Sequence, residues 1–369
     1  MADDDALDED QEAEAAEAVE VPAPRGNAAL VAHGAAEAAL LSAFNAGRLP
    51  QGLLITGPHG IGKATLAYRF ARFLLAQAVE RGGGGLFAPV VPESLEIAET
   101  HPVFRRVASS GHADLLTVER GIDPKRKRER TEIVVEDARA VAGFLRLTPA
   151  EGGWRIVIVD TADEMNRNAA NAILKILEEP PKQAILMLLS DNPGRLLPTI
   201  RSRCRKLALR PLDDATVAEL LARYRPDLSQ RDRAALVEIA EGSIGRALEL
   251  AEQNGVKLHR EIVGLMSALP EIDGTALYGF AERAGRWGND QGFRVVSELL
   301  PATVARAIAE AAKPGDGAGL SALLRRRGLD RWVEVWEKIT HLFAQADAIN
   351  LDRKQVVLNA FFALEEAAR

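Results

Sequence analysis

Short apolar runs alternate along this chain with longer stretches in which apolar residues recur every three or four positions. The first run, 52–56, is followed at once by a glycine-rich turn and a helical pattern over 64–78. Further runs at 113–119, 154–160 and 184–190, with an extended segment at 205–209, read as strands. Between them the spacing predicts helices at 136–147, 168–178 and 196–202. Another helical pattern, 28–47, precedes the first strand and is closed by Gly47 and Pro50. Strands that are apolar at every position have no face left for water, so they belong in a parallel sheet covered by helices on both sides. After Pro211 the strand pattern ends. The remainder, to Arg369, reads as amphipathic helices broken at Gly242, Gly255, Pro270, 288–290 and 314–319. The predicted fold class is α/β, then all-α.

At 369 residues the chain suggests two or three domains. A hydrophobic content of 47% fills sizeable cores, and 27% charged residues suit a soluble surface. The best apolar run, 184–189, is far too short to span a bilayer, and the N-terminus has no apolar signal core. A cytoplasmic protein without a membrane partner is expected. One cysteine, Cys204, excludes an internal disulfide. The six histidines are scattered; His101 and His112 could share a metal only without the further ligands a zinc site normally has, so no metal site is expected. The net charge of −7 misleads, because residues 1–20 hold ten acids and no bases, and without them residues 21–369 carry +3. Residues 1–24 are therefore expected to form a disordered acidic tail. The densest basic run, 125–130, reads as a solvated loop.

Candidate chemistry begins after the first strand. Residues 57–65, Gly-Pro-His-Gly-Ile-Gly-Lys-Ala-Thr, fit the phosphate-loop pattern G-x-x-x-x-G-K between a strand and a helix, the context that pattern requires. Gly57, Gly60 and Gly62 let backbone N–H groups turn toward phosphates, the helix N-terminus adds positive potential, and Lys63 reaches the terminal phosphates. The next position departs from the pattern. A hydroxyl should follow the lysine and bind Mg²⁺, but Ala64 offers a methyl group. Thr65 comes one residue late, which on a helix rotates it by about 100°. Water can replace one Mg²⁺ ligand. Weak binding of ATP or ADP, with or without Mg²⁺, is expected, and efficient chemistry is not.

The second half of such a pocket is the strand 156–160, Ile-Val-Ile-Val-Asp, whose terminal Asp160 would orient hydrated Mg²⁺. ATPases of this kind usually place a glutamate next, to polarise the attacking water; here the residue is Thr161. Asp163 and Glu164 lie farther on and would need an unusual turn to replace it. Two independent losses, at 64 and 161, point to a pocket without hydrolysis of its own.

Farther along, Pro198-Thr-Ile-Arg-Ser-Arg-Cys204 contains Ser202-Arg203-Cys204, and 177–181 reads Leu-Glu-Glu-Pro-Pro after Asn171-Ala-Ile-Leu. In this order, with the phosphate loop, the acid-tipped strand and Gly242-Ser243, these phrases resemble the AAA+ clamp loaders of bacterial DNA polymerase III over residues 25 to about 255. The resemblance implies an AAA+ domain at 25–210, a small helical lid at 211–257 and a helical collar for oligomerisation at 258–369. It implies that Arg203 is an arginine finger, offered in trans to ATP on a neighbouring subunit, where a guanidinium neutralises charge on the transferred phosphoryl group. Arg201 and Arg205 flank it and read as candidates for structural ion pairs. The implied partners are the delta and gamma/tau subunits and, through the complex, the beta sliding clamp and primer–template DNA. A compromised pocket with a retained finger is the pattern of a non-motor, stator-like member; the alternative is a motor ATPase of gamma/tau type that tolerates Ala64 and Thr161. No polymerase activity of the chain itself is implied. Three departures accompany the likeness. Residues 79–112 lack the cysteines of a zinc module, so no zinc is expected. Asp191 stands where relatives have Thr or Asn and would repel a phosphate, and Gly245 replaces an arginine, with Arg246 one step displaced.

Overall fold

The computed structural model describes residues 21–82, 91–122, 130–286, 290–313, 320–349 and 351–369. The tail over 1–20, the glycine run after residue 82 and most of the basic loop fall outside them. The chain forms two compact units. One runs to Leu228 and takes in Glu241–Arg246; the other comprises Ser229–Ala240 and Ala247–Arg369. The segment expected as a lid is thus divided between them.

The first unit contains α1 (Gly34–Asn45), β1 (Gly52–Thr56), α2 (Lys63–Gly82), α3 (Pro102–Ala108), β2 (Leu115–Val118), α4 (Val135–Leu145), β3 (Arg155–Val159), α5 (Arg167–Glu178), β4 (Ala184–Ser190), α6 (Pro198–Arg203), β5 (Arg205–Ala208) and α7 (Asp214–Tyr224). The strands form one sheet in the order β2-β3-β4-β1-β5, every pair parallel. Both faces are covered, as uniform apolarity requires. Leu53, Ile55, Ile156, Ile158, Ile185, Met187 and Leu189 join a core with α1 and α2. The alternate residues Leu54, Val157, Val159, Leu186 and Leu188 join the opposite core with α4, α5 and α6. This period of two is the pleat of a strand buried on each side.

Three details differ from the pattern-based expectations. The first helix begins at Gly34, not at 28, after Ala32 takes a left-handed conformation at φ 65°. Helix α2 continues to Gly82, beyond the predicted stop at 78. Helix α3 was not expected: its seven residues are too few for a period to emerge, but Pro102 starts it, the His101 ring accepts from the Val103 amide, and Val103, Phe104 and Val107 are buried.

The second unit is helical throughout its described residues: α8 (Gln230–Ala240), the greater part of α9 (Ile244–Glu252), α10 (Gly255–Ser267), α11 (Gly274–Ala284), α12 (Asp290–Ala312), α13 (Leu320–Arg327), α14 (Leu329–Ile349) and α15 (Arg353–Ala368). Helix α14 packs against α12 and α15, and α15 against α11. Trp332 is 1% exposed in this core, and edge-on aromatic contact joins Phe280 to Phe361 at 5.8 Å. Among the described residues no helix is long and apolar enough to cross a membrane.

Candidate functional site

Parallel strands bring their C-terminal ends to one edge of a sheet, and ligands of such sheets sit there. The register pairs Thr56 with Ser190 and Val159 with Leu188. Gly57, Asp160 and Asp191 therefore leave the sheet side by side from β1, β3 and β4. The expected phosphate loop and acid-tipped strand are brought together.

The loop is already engaged with its own chain. A lysine ammonium has three protons to donate. The Lys63 Nζ donates to Gly57 O at 3.0 Å and Pro58 O at 2.7 Å, and forms an ion pair with Asp191. The other Asp191 oxygen, Oδ2, lies 3.0 Å from His59 Nδ1. Burial alone would raise the Asp191 carboxyl, but His59 and Lys63 outweigh it and hold the pKa below the ordinary carboxylate value. Asp191 itself is fixed from below. Asp163 accepts from the Asp191 amide at 3.1 Å and the Asn192 amide at 3.2 Å. A carboxylate thus stands against the lysine that a phosphate loop normally offers to a nucleotide.

The outer side of the loop is occupied as well. Ser243 Oγ donates to His59 O at 2.6 Å, and the Gly245 amide donates to Gly60 O at 2.9 Å. The approach is so close that a Cβ on Gly245 would meet Gly60 Cα at 2.6 Å. An arginine at position 245 is sterically excluded while this contact holds. Arg246 turns aside, with Nη1 3.4 Å from Glu241 Oε2. From the other flank, His33 Nε2 lies 2.7 Å from Ile61 O.

On β3 the terminal Asp160 is largely buried, which raises its pKa, while a bond from the Thr161 amide works in the opposite direction. Thr161 adopts φ 53°, a left-handed conformation unusual for a β-branched residue, and its hydroxyl donates to Asp160 O at 2.7 Å. That hydroxyl is spent locally. Neither nearby acid replaces the missing glutamate, since Asp163 holds the two amides and Glu164 Oε2 is 3.2 Å from Arg120 Nε. Thr65, 8% exposed, is buried in α2 beside the half-buried Ala64. In this arrangement the residues do not fit a magnesium nucleotide: the lysine's protons are all taken and no hydroxyl follows it.

Arg203 lies elsewhere. It ends α6 immediately before β5, and its carbonyl is 3.3 Å from the position of a Cβ on Gly52, the first residue of β1. The phosphate loop leaves the other end of that strand, about 16 Å away at 3.3 Å per residue. The guanidinium is partly exposed; Nη1 donates to Thr199 O at 3.1 Å and Nη2 lies 3.1 Å from Glu178 Oε1. Among the described residues, neither Arg201 nor Arg205 forms an ion pair. Cys204 points into the core, where burial raises its thiol pKa to about 11, an inert thiol.

The profile of the family described as "DNA polymerase III, delta subunit" matches residues 33–213, spanning the loop, the acid-tipped strand and Arg203. The DNA polymerase III subunit delta' of Pseudomonas aeruginosa is 37% identical over 208 residues, 56% of this chain and 57% of that protein. Over this segment the chain is similar to DNA polymerase III delta-prime subunits. The delta' subunit of Escherichia coli is 34% identical over 211 residues, again 57% of each chain. The matched segment therefore spans somewhat over half the length of these delta-prime relatives. The tau subunit of Escherichia coli is 29% identical over 219 residues, 58% of this chain and 31% of its own length. The sequence assigned no bond to His59, Asp163, Ser243 or Glu178, yet each engages a candidate site residue or its loop. His59, Ser243 and Glu178 lie inside phrases quoted from the sequence, and Asp163 just after the acid-tipped strand, but a phrase does not say which neighbour each side chain will bind.

Proposed function

We propose that this chain acts as the stator-like delta-prime subunit of a DNA polymerase III clamp loader, helping to place the beta sliding clamp on primer–template DNA in the cytoplasm. Its partners in this reading are delta and gamma/tau, joined through the helical collar. The chain supplies Arg203 to ATP held by a neighbouring motor subunit and takes up ATP or ADP weakly at best in its own pocket.

One observation supports this reading above the others. Arg203 and the phosphate loop sit at opposite ends of the same parallel strand, so the arginine is remote from the chain's own pocket and available to another's. The self-engaged Lys63 and the absent hydroxyl at Ala64 agree with a donor that does not hydrolyse.

The test is a complex reconstituted with Arg203→Ala. Turnover at the site facing this subunit should fall by roughly 10³–10⁵, seen in the assembly as loss of that site's share of DNA-stimulated ATP hydrolysis and slower clamp loading. Unchanged rates reject the finger. Brisk phosphate release by the lone wild-type chain would favour a gamma/tau-type motor instead.

A further inference from the structure

Two sequence phrases that are separated along the chain meet in space. Helix α5 ends at Glu178, within Leu177-Glu178-Glu179-Pro180, and its carboxylate lies 3.1 Å from the Arg203 guanidinium. We propose that Glu178 is a positioning residue for Arg203: it holds the arginine in the pose from which it reaches the neighbour's ATP. The inference rests on Arg203 acting in trans and names what sets its aim.

Three features carry it. First, the pair stands on a rigid base. Leu177 and Cys204, the chain neighbours of Glu178 and Arg203, are both 9% exposed, and both side chains crowd the Cβ position of Gly52, at 2.7 and 3.1 Å. Second, the hold leaves the arginine usable. A guanidinium has five N–H donors. Thr199 O takes one on Nη1 and Glu178 one on Nη2, so three remain for a phosphate. Third, the carboxylate is poorly placed for stability alone. The C-terminal end of a helix carries partial negative charge, and Glu178 and Glu179 both stand there on α5. A solvent-exposed pair contributes little to folding. Its effect is to narrow the many rotamers of a long, flexible cation.

The test uses the reconstituted clamp loader with three variants of this subunit: Glu178→Gln, Glu178→Asp and Arg203→Ala. Glu178→Gln should lower kcat for DNA-stimulated ATP hydrolysis about fivefold, the size expected from losing one exposed ion pair in the transition state. KM for ATP and the melting temperature of the subunit should stay unchanged, a split that a merely structural role would not produce. Glu178→Asp should restore part of the loss. If Arg203→Ala slows the complex while Glu178→Gln leaves kcat as it was, or raises it, Glu178 does not position the arginine. If Arg203→Ala changes nothing, the trans role fails, and the inference with it.

Discussion

Asp191 is the side chain on which the pocket turns. The structure contributes an anion of its own where a nucleotide would bring one, and it holds that anion with His59 on one oxygen and Lys63 on the other. Asparagine at this position keeps the shape and removes the charge. Lys63 would then retain its two carbonyl partners and have one proton free for an incoming phosphate. Asp191→Asn should tighten binding of ADP or ATP to the isolated chain about tenfold or more, the value of one charge-assisted hydrogen bond returned to the ligand. Isothermal titration reads it directly. Equal affinities for variant and wild type would show that the carboxylate is not what weakens the pocket. The same replacement should cost stability of about 1–2 kcal/mol, since Lys63 is 7% exposed and loses its ion-pair partner.

At the opposite edge of the sheet, where β2 and β3 begin, a buried polar lock fixes the elements themselves. Asp114 and Arg155 have side chains 2% and 7% exposed and lie 3.3 Å apart. The carboxylate accepts from the amides of Ala150 and Glu151 at 2.9 and 3.1 Å, and the guanidinium donates to Phe144 O and Thr148 O at 2.6 and 2.9 Å. One pair thus ties the connection after α4 to two strand starts. Asp114→Ala leaves a buried cation and two amides without their partner and should destabilise the chain by about 3–5 kcal/mol, measurable by urea unfolding. A loss under 1 kcal/mol would mean that water replaces the carboxylate. Nothing in the sequence pointed to this lock: Asp114 and Arg155 fall inside the runs read as strands, but a strand pattern does not say which polar residues will pair. The sheet was legible for the opposite reason: unbroken apolar runs at 53–55, 156–159 and 184–189 fit strands buried on both faces. The phosphate loop and Asp160 were legible through their spacing between strand and helix, whereas Arg203 was singled out through a resemblance. What spacing cannot express is which neighbour engages a functional group, as Asp191 does Lys63 and Glu178 does Arg203. Helix α3 escaped notice because seven residues make barely two turns.

Taken whole, the first unit has one edge where Gly57, Asp160 and Asp191 emerge and another where Glu178 and Arg203 meet; in the proposed reading the first is a receiving edge and the second a donating edge. The receiving edge has been weakened in three separable ways: no hydroxyl after Lys63, no glutamate after Asp160, and a carboxylate on the lysine. In the proposed reading the edge with Arg203 has no such departure. If these are independent defects, repairing the chemistry alone should not restore function to the pocket. Ala64→Thr with Thr161→Glu supplies the Mg²⁺ ligand and the polarising carboxylate, yet Asp191 would still occupy Lys63 and repel the γ-phosphate. This double variant should bind nucleotide no more tightly than wild type, whereas adding Asp191→Asn should produce measurable Mg²⁺-dependent binding. Hydrolysis by the triple variant alone should stay slow even then, because Arg203 lies a full strand length, about 16 Å, from its own pocket and in the proposed reading another chain supplies the arginine. Binding followed by titration, with phosphate release measured alongside, separates these steps. Tight binding by the double variant would show that Asp191 yields readily to phosphate, and rapid hydrolysis by the isolated triple variant would overturn the division of labour between the two edges.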